Sequence, residues 1–281
     1  MANEAMRDNW AVGGEAWVRN ERIFDHVFTD ITATLIAAAD LRGAARLLDV
    51  GCGTGTLLTR AVDAGVAAVG VDISEPMVTA ARARVPEAEV VLADAQEADL
   101  AALGPADRIV SRFGVMFFDD PAAAFTNIRR AAAPGARLAF VCWRADETEM
   151  FELGLAPLRE HLPDGALPAP QVGAPGPVGF GERARIEEVL RRAGWADATI
   201  EAADVPCDYG IDGTDGVDAR LAVALAGSVG RAARAALEPE LGQAGWDAIV
   251  EQMRADLVAR RTGGTLQLTA HIWLVTAQNP A

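Results

Sequence analysis

The stretch Leu47-Leu48-Asp49-Val50-Gly51-Cys52-Gly53-Thr54-Gly55 constrains this chain more than any other. It opens as an apolar strand, Arg46–Val50, and ends in a loop with glycine at 51, 53 and 55. Behind it, Leu57, Leu58, Ala61 and Val62 recur on one face of a helix. A strand that turns through glycines into a helix lets the backbone bend and lets a ligand approach without meeting a Cβ atom. The pattern is D-x-G-x-G-x-G, from Asp49 to Gly55. A dinucleotide fingerprint counted from Gly51 would need glycine at 56, where this chain has Thr56. A turn without a ligand could carry the same glycines, so the flanking segments have to decide.

Those segments repeat one rhythm. Residues 67–72 read as a second buried strand ending in Asp72. An acid at that tip can accept hydrogen bonds from both hydroxyls of an adenosine ribose, and it serves nicotinamide cofactors equally well. Ser74 is placed to cap a helix whose inner face carries Met77, Val78, Ala81 and Val85. A third strand, 88–93, ends in Asp94-Ala95, where Asp94 either meets a ligand or caps a helix near Glu97. A fourth, 107–111, leads into Arg112-Phe113-Gly114 and on to Phe117 and Phe118. Asp119 and Asp120 precede Pro121 and read as caps of a helix over 121–132. After a turn at 133–135, residues 137–143 form an apolar fifth strand. Strands alternating with helices predict βαβ units, hence an α/β fold with a doubly wound sheet.

With these residues in view, the chain resembles the class I S-adenosylmethionine-dependent methyltransferases of the small-molecule type, whose first motif has the form found at 49–55. The resemblance is strong over 46–143 and moderate over 182–203 and 265–276. It implies a Rossmann-like sheet of seven strands, the last antiparallel, with helical insertions as a substrate lid. It also implies a cofactor site made of Asp49, Gly51, Cys52, Gly53 and Gly55 in the loop, Asp72, Ile73 and Met77 around the ribose and adenine, and Asp94 and Ala95 on the adenine edge. Arg112 and Phe113 would run under the methionine part of S-adenosylmethionine.

The rest of the chain divides around that core. Residues 1–45 read as an N-terminal helical cap in which Trp10, Trp17 and Arg19 could touch the cofactor. Residues 46–143 are the cofactor-binding core. A lid insertion at 144–181 holds one short helix, 147–161, and a run rich in proline and glycine. Core structure resumes over 182–204. A second, helical insertion spans 205–264, with helices at 217–237 and 245–261, and the final strand lies within 265–281. Both insertions can reach the carboxyl ends of the strands, where substrates bind in such sheets.

Charge narrows the partners. The net charge is −15, and no basic run exceeds two residues. Nucleic acid and anionic membrane surfaces both draw their affinity from Lys and Arg, so neither is expected. Three widely spaced cysteines suggest neither a disulfide framework nor a zinc site. The first 22 residues are punctuated by charges, unlike a signal peptide, and no apolar run is long enough to span a bilayer. A cytoplasmic protein with a small-molecule substrate is the expectation, its oligomeric state open.

Methyl transfer to a hydroxyl or protonated amine needs a proton acceptor. Of the three histidines, His161 is the leading candidate because the lid is where a substrate would sit; His26 ranks second and His271 reads as structural. Tyr209, the sole tyrosine, could bind substrate. The place after strand four reads Ser111-Arg112-Phe113-Gly114, unlike the N/D-P-P-Y tetrad of amino-methylating enzymes, and no carboxylate cluster for a metal is evident. The function expected is metal-independent methylation of a small metabolite on O, N or C. Two rivals stay open: a protein that binds the cofactor without transferring methyl, and an NAD-dependent oxidoreductase, against which Thr56 counts.

Overall fold

The computed structural model describes residues 3–146, 149–163, 165–167 and 171–280. Residues 147, 148, 164 and 168–170 of the expected lid, and 1, 2 and 281 at the ends, lie outside the described residues.

Strand β1 (Arg46–Val50) is apolar on both faces and lies inside the sheet, with Leu47 and Val50 at most 1% exposed. It pairs in parallel with β2 (Ala67–Asp72) on one side and β4 (Ala106–Arg112) on the other. β3 (Glu89–Leu92) extends the first side; β5 (Ala132–Trp143) extends the second. β7 (Gln267–Gln278) inserts between β5 and the edge strand β6 (Ala196–Asp208), antiparallel to both. The order is β3-β2-β1-β4-β5-β7-β6. The α/β doubly wound sheet expected from the alternation is therefore present, and the strand order reverses between β1 and β4. In open sheets a ligand crevice forms at such a reversal.

Helices α3 (Thr29–Ala39) and α4 (Thr56–Asp63) pack together, as do α6 (Pro121–Arg130) and α9 (Arg183–Arg192). Between these layers, Leu138 to Cys142 of β5 are at most 1% exposed. Two helices precede α3: α1 (Glu4–Arg19) and α2 (Glu21–Val27). α1 packs against α5 (Glu75–Arg84), where the Ser74 hydroxyl donates to the Trp10 carbonyl at 2.9 Å. Ser74 stands at the N-cap of α5, but its side chain ties down α1 instead of capping.

Several expected boundaries move for physical reasons. β6 continues to Asp208 because β7 offers it partners as far as Gln267. β5 reaches back to Ala132, which pairs with Ala106 before the register slips and Gly135 (φ 74°) turns the chain. No α-helix follows Asp94, only a 3-10 turn at Leu100–Leu103. The described lid holds two short helices, α7 (Glu149–Glu152) and α8 (Ala156–Glu160). In the second insertion the helices are α10 (Val217–Ala226) and α11 (Ser228–Arg260), the latter bent at Gly242. The interruption expected between 237 and 245 is this kink, where Gly242 leaves helical geometry at φ 67° and ψ 173°; Leu237 buries before it and Trp246, Ile249, Met253 and Leu257 after it. Among the described residues, no helix is long and apolar enough to cross a membrane.

One side chain locks the end of β7 to the start of β5. Asn279 is buried, and its Nδ2 donates to the carbonyls of Ala132 and Ala133 at 3.0 Å each. Its Oδ1 accepts from Arg129 Nη1 at 3.2 Å. Asn279→Ala strands two buried carbonyls and is expected to cost about 2 kcal/mol. Urea unfolding at pH 7 checks this, and an unchanged midpoint would show that water replaces the lock freely.

Candidate active site

One chamber lies beyond the carboxyl ends of β1 to β4, roofed by α1 and closed by α7, α10 and the first turn of α11. It encloses about 620 Å³, inside the range of roughly 300–1,000 Å³ typical of ligand pockets.

The glycine loop forms its floor. The amides of Gly51 and Cys52 both donate to the Val71 carbonyl, at 2.8 and 3.1 Å, so the loop is pinned to β2. Gly51 has φ 70°, and a Cβ there would lie 2.8 Å from the Cα of Gly114, just past β4. Backbone thus touches backbone at the reversal of the sheet, leaving the mouth of the crevice to a ligand.

Three carboxylates line the chamber from successive strands. Asp72, at the tip of β2, accepts from the Gly53 amide at 2.8 Å and the Ser74 amide at 2.9 Å. Burial pushes its pKa up; the backbone amides of Ser74, Gly53 and Ile73 oppose that shift. Each of its oxygens keeps lone-pair capacity for a further donor. Asp94, beyond β3, accepts from the Gln96 amide at 2.9 Å and from Asn3 Nδ2 at 2.8 and 3.0 Å. Asn3 also exchanges bonds with Asp119: its amide donates to Asp119 Oδ2 at 2.6 Å and its Oδ1 accepts from the Asp119 amide at 2.7 Å. Of the acids expected to cap α6, Asp120 does so, accepting from the Ala123 amide at 3.0 Å; Asp119 holds the start of α1 instead.

Asp49 differs from both. It is 1% exposed, and neither of its oxygens has a hydrogen-bond partner. Burial pushes its pKa up to about 8, the Arg112 charge pulls it down, and Asp72 adds a smaller push upward. Arg112 itself is committed to protein: Nη1 donates to Thr32 Oγ1 at 2.7 Å and Nη2 to Thr56 Oγ1 at 3.3 Å. Thr56 in turn donates to Asp25, which pairs with Arg84 at 2.7 Å. The Arg112 guanidinium is therefore a fixed neighbour charge for Asp49, with its hydrogen bonds spent on α3 and α4.

Past the loop the wall is aromatic. Phe113 and Trp143 stack with ring centroids 4.1 Å apart and 3° between planes, and Phe28 meets both edge-on. Phe113 holds φ 64°, a left-handed conformation uncommon for a bulky side chain. Such strain is typical of residues held in place at a site. Trp10 and Trp17 line the roof, and Arg19 does not reach the chamber. Ile73, Met77, Ala95 and Cys52 all line it. The Cys52 thiol is buried, and burial raises its pKa.

His161 requires a correction. It is exposed at the C-cap of α8 and does not line the chamber. α8 turns Pro157 and Leu158 inward, which leaves its last residue facing solvent. His26 is likewise off the chamber, and His271 pairs with Asp204 at 2.7 Å on the outer part of the sheet. Tyr209 does line it, donating to Met150 Sδ at 3.4 Å. Sequence reasoning missed Asn3, Trp143 and Arg220. Only Arg220 left a trace, as the single basic residue in the apolar run of α10.

Residues 48–140 match the methyltransferase domain family. The matched residues and the order of the seven-stranded sheet are similar to those of the class I S-adenosylmethionine-dependent methyltransferases. An uncharacterized protein of Mycobacterium tuberculosis is 29% identical over 161 residues, and the chain spans only 56% of that relative's length. Nocamycin O-methyltransferase of Saccharothrix syringae is 30% identical over 186 residues, covering 60% of this chain and 66% of the relative. A solved phosphoethanolamine N-methyltransferase of Haemonchus contortus, in complex with S-adenosylhomocysteine, superposes with a TM-score of 0.51 at 16% identity. That alignment covers 93% of this chain and 58% of the other, and it speaks to the fold.

Proposed function

We propose that this protein transfers a methyl group from S-adenosylmethionine to a small organic acceptor. The observation that carries the reading is the single chamber joining the pinned glycine loop, the tip acids Asp72 and Asp94, and the partnerless Asp49 carboxylate. The residues fit the cofactor. Asp72 and Asp94 have acceptor capacity for hydroxyl and amino groups. Asp49 is an orphaned buried carboxyl suited to an ammonium. The contact of Gly51 with Gly114 keeps the loop free of side chains. Gly53, Gly55, Cys52, Ile73, Met77, Ala95 and Phe113 complete the proposed cofactor wall. When bound, S-adenosylmethionine supplies a methyl carbon made electrophilic by a sulfonium.

This chain's residues contribute position and dryness. The aromatic wall of Phe28, Phe113 and Trp143 excludes water from the reacting centre. Holding two reactants in line is worth about 7–11 kcal/mol in favourable systems. The named acceptors of related enzymes, among them that of nocamycin O-methyltransferase, support an acceptor of small-molecule size.

Calorimetric titration with S-adenosylhomocysteine, with NAD and NADH as controls, tests the reading. Micromolar binding of the first alone is expected; binding of NAD instead would overturn it. Asp72→Asn is expected to weaken S-adenosylhomocysteine about 10–100-fold. Both carboxylate oxygens face backbone N–H groups, so an amide nitrogen in either place would set donor against donor.

A further inference from the structure

The far end of the chamber, away from the glycine loop, carries a charge that the protein does not neutralise. Arg220, on α10, is 3% exposed and lines the chamber. Its Nε and Nη2 both donate to one acceptor, the Leu153 carbonyl, at 3.2 and 2.7 Å. Its guanidinium lies 5.8 Å from the Tyr209 ring centroid. Arg231, from the first turns of α11, lines the same end, and its hydrogen bond goes to the Ala226 carbonyl. Among the described residues, neither guanidinium has a carboxylate within ion-pair distance. The one acid on this part of the wall, Glu152, is paired with Arg159 at 2.7 Å.

That arrangement is unusual in a chain with 40 acidic and 25 basic side chains. A buried charge is ordinarily paired, because an unpaired one forfeits its hydration. Arginine also presents a planar fork that matches a carboxylate in two parallel hydrogen bonds. The surfaces between the arginines and the stacked rings are apolar: Met150, Phe151, Leu155 and Val223. We propose that Arg220, assisted by Arg231, binds the carboxylate of an apolar, ring-bearing acid, so the acceptor substrate is anionic despite the acidic protein around it. The substrate role rests on the methyltransferase reading; the anion site itself does not.

The test compares 1-naphthoate with 1-naphthamide, which share shape and differ in charge. Each is titrated by calorimetry into the full chain, with and without saturating S-adenosylhomocysteine. The expected result is at least tenfold tighter binding of naphthoate. That preference is expected to fall below threefold in Arg220→Gln, to persist in Arg220→Lys, and to weaken in Arg231→Gln. Arg231 is half-buried and gives a variant less exposed to folding failure should Arg220→Gln not fold. Equal affinity of acid and amide for the wild-type protein, or no naphthoate binding at millimolar concentration, overturns the proposal whatever the variants do. If S-adenosylhomocysteine fails to bind while naphthoate is still preferred, the anion site stands and the methyltransferase reading falls.

Discussion

Gly51→Ala is expected to be among the most damaging single substitutions in the chain. An L-residue at φ 70° costs about 1–2 kcal/mol. The new Cβ would lie 2.8 Å from the Cα of Gly114, and backbone cannot swing aside as a side chain can. Overpacking of this kind costs about 1–3 kcal/mol more. The sum, roughly 2–5 kcal/mol, is a large share of the ~5–15 kcal/mol that holds a native protein together. Gly43→Ala is the matched control: its φ is 69°, but a Cβ there meets nothing within 4 Å. Urea unfolding of both variants separates the backbone cost from the clash. Because the clash would push the loop off β4, Gly51→Ala is also expected to lose S-adenosylhomocysteine binding at least 100-fold, while Gly43→Ala keeps it. Equal midpoints for the two variants would mean that the loop and β4 are not in tight contact.

Asp49 makes the second large effect one of pH. Burial pushes its carboxyl up to about 8 in the folded protein, against about 3.8 for an aspartate in water. The groups facing it are Arg112 from β4, Asp72 from β2 and Cys52 from the loop. Between these two values the unfolded chain has ionised this group and the folded protein still holds its proton. The stabilisation is complete below about pH 4, declines as pH rises, and is gone above about pH 8. At about 1.4 kcal/mol per pH unit the span amounts to several kcal/mol. Asp49→Asn removes the titration. Wild type is therefore expected to lose at least 2 kcal/mol relative to the variant between pH 5 and pH 8, read by urea unfolding across that range. A cationic group seated against this carboxyl would favour its ionised form. S-adenosylhomocysteine affinity is then expected to rise with pH from 6 to 8, by up to about tenfold per unit, and to level off above. Calorimetry in buffers of different ionisation enthalpy at pH 7 is expected to show proton release. A flat affinity profile would place the ligand's ammonium away from Asp49.

The legible parts of this protein were those set by local pattern. β1 and β2 begin and end where their apolar runs do, because a buried parallel strand has only its own side chains to mark it. The loop at 51–55 was legible because glycine spacing follows from backbone geometry. Edges that depend on partners were less so. β6 runs past 204, where the sequence marks the end of that core segment, to Asp208, since pairing with β7 extends it where its own residues are mostly exposed. In the second insertion the interruption expected between 237 and 245 is the kink at Gly242, whereas the break at Gly227, between α10 and α11, falls inside what the apolar pattern marks as one helix.

Function divides the same way. The sequence alone determined the α/β class, the strand-loop-helix at the centre, and which acids stand at the strand tips, since each follows from period, spacing and composition. Only the tertiary structure decided how those acids differ. Asp72 is held by two amides, Asp94 by Asn3, and Asp49 by nothing, although all three follow similar apolar runs. It also removed His161 from the chamber and brought in Arg220, about 60 residues further along the chain. The reason is physical. A residue's chemistry is written in its type, but its solvation, partners and charge environment come from segments distant in sequence, and folding alone brings those together.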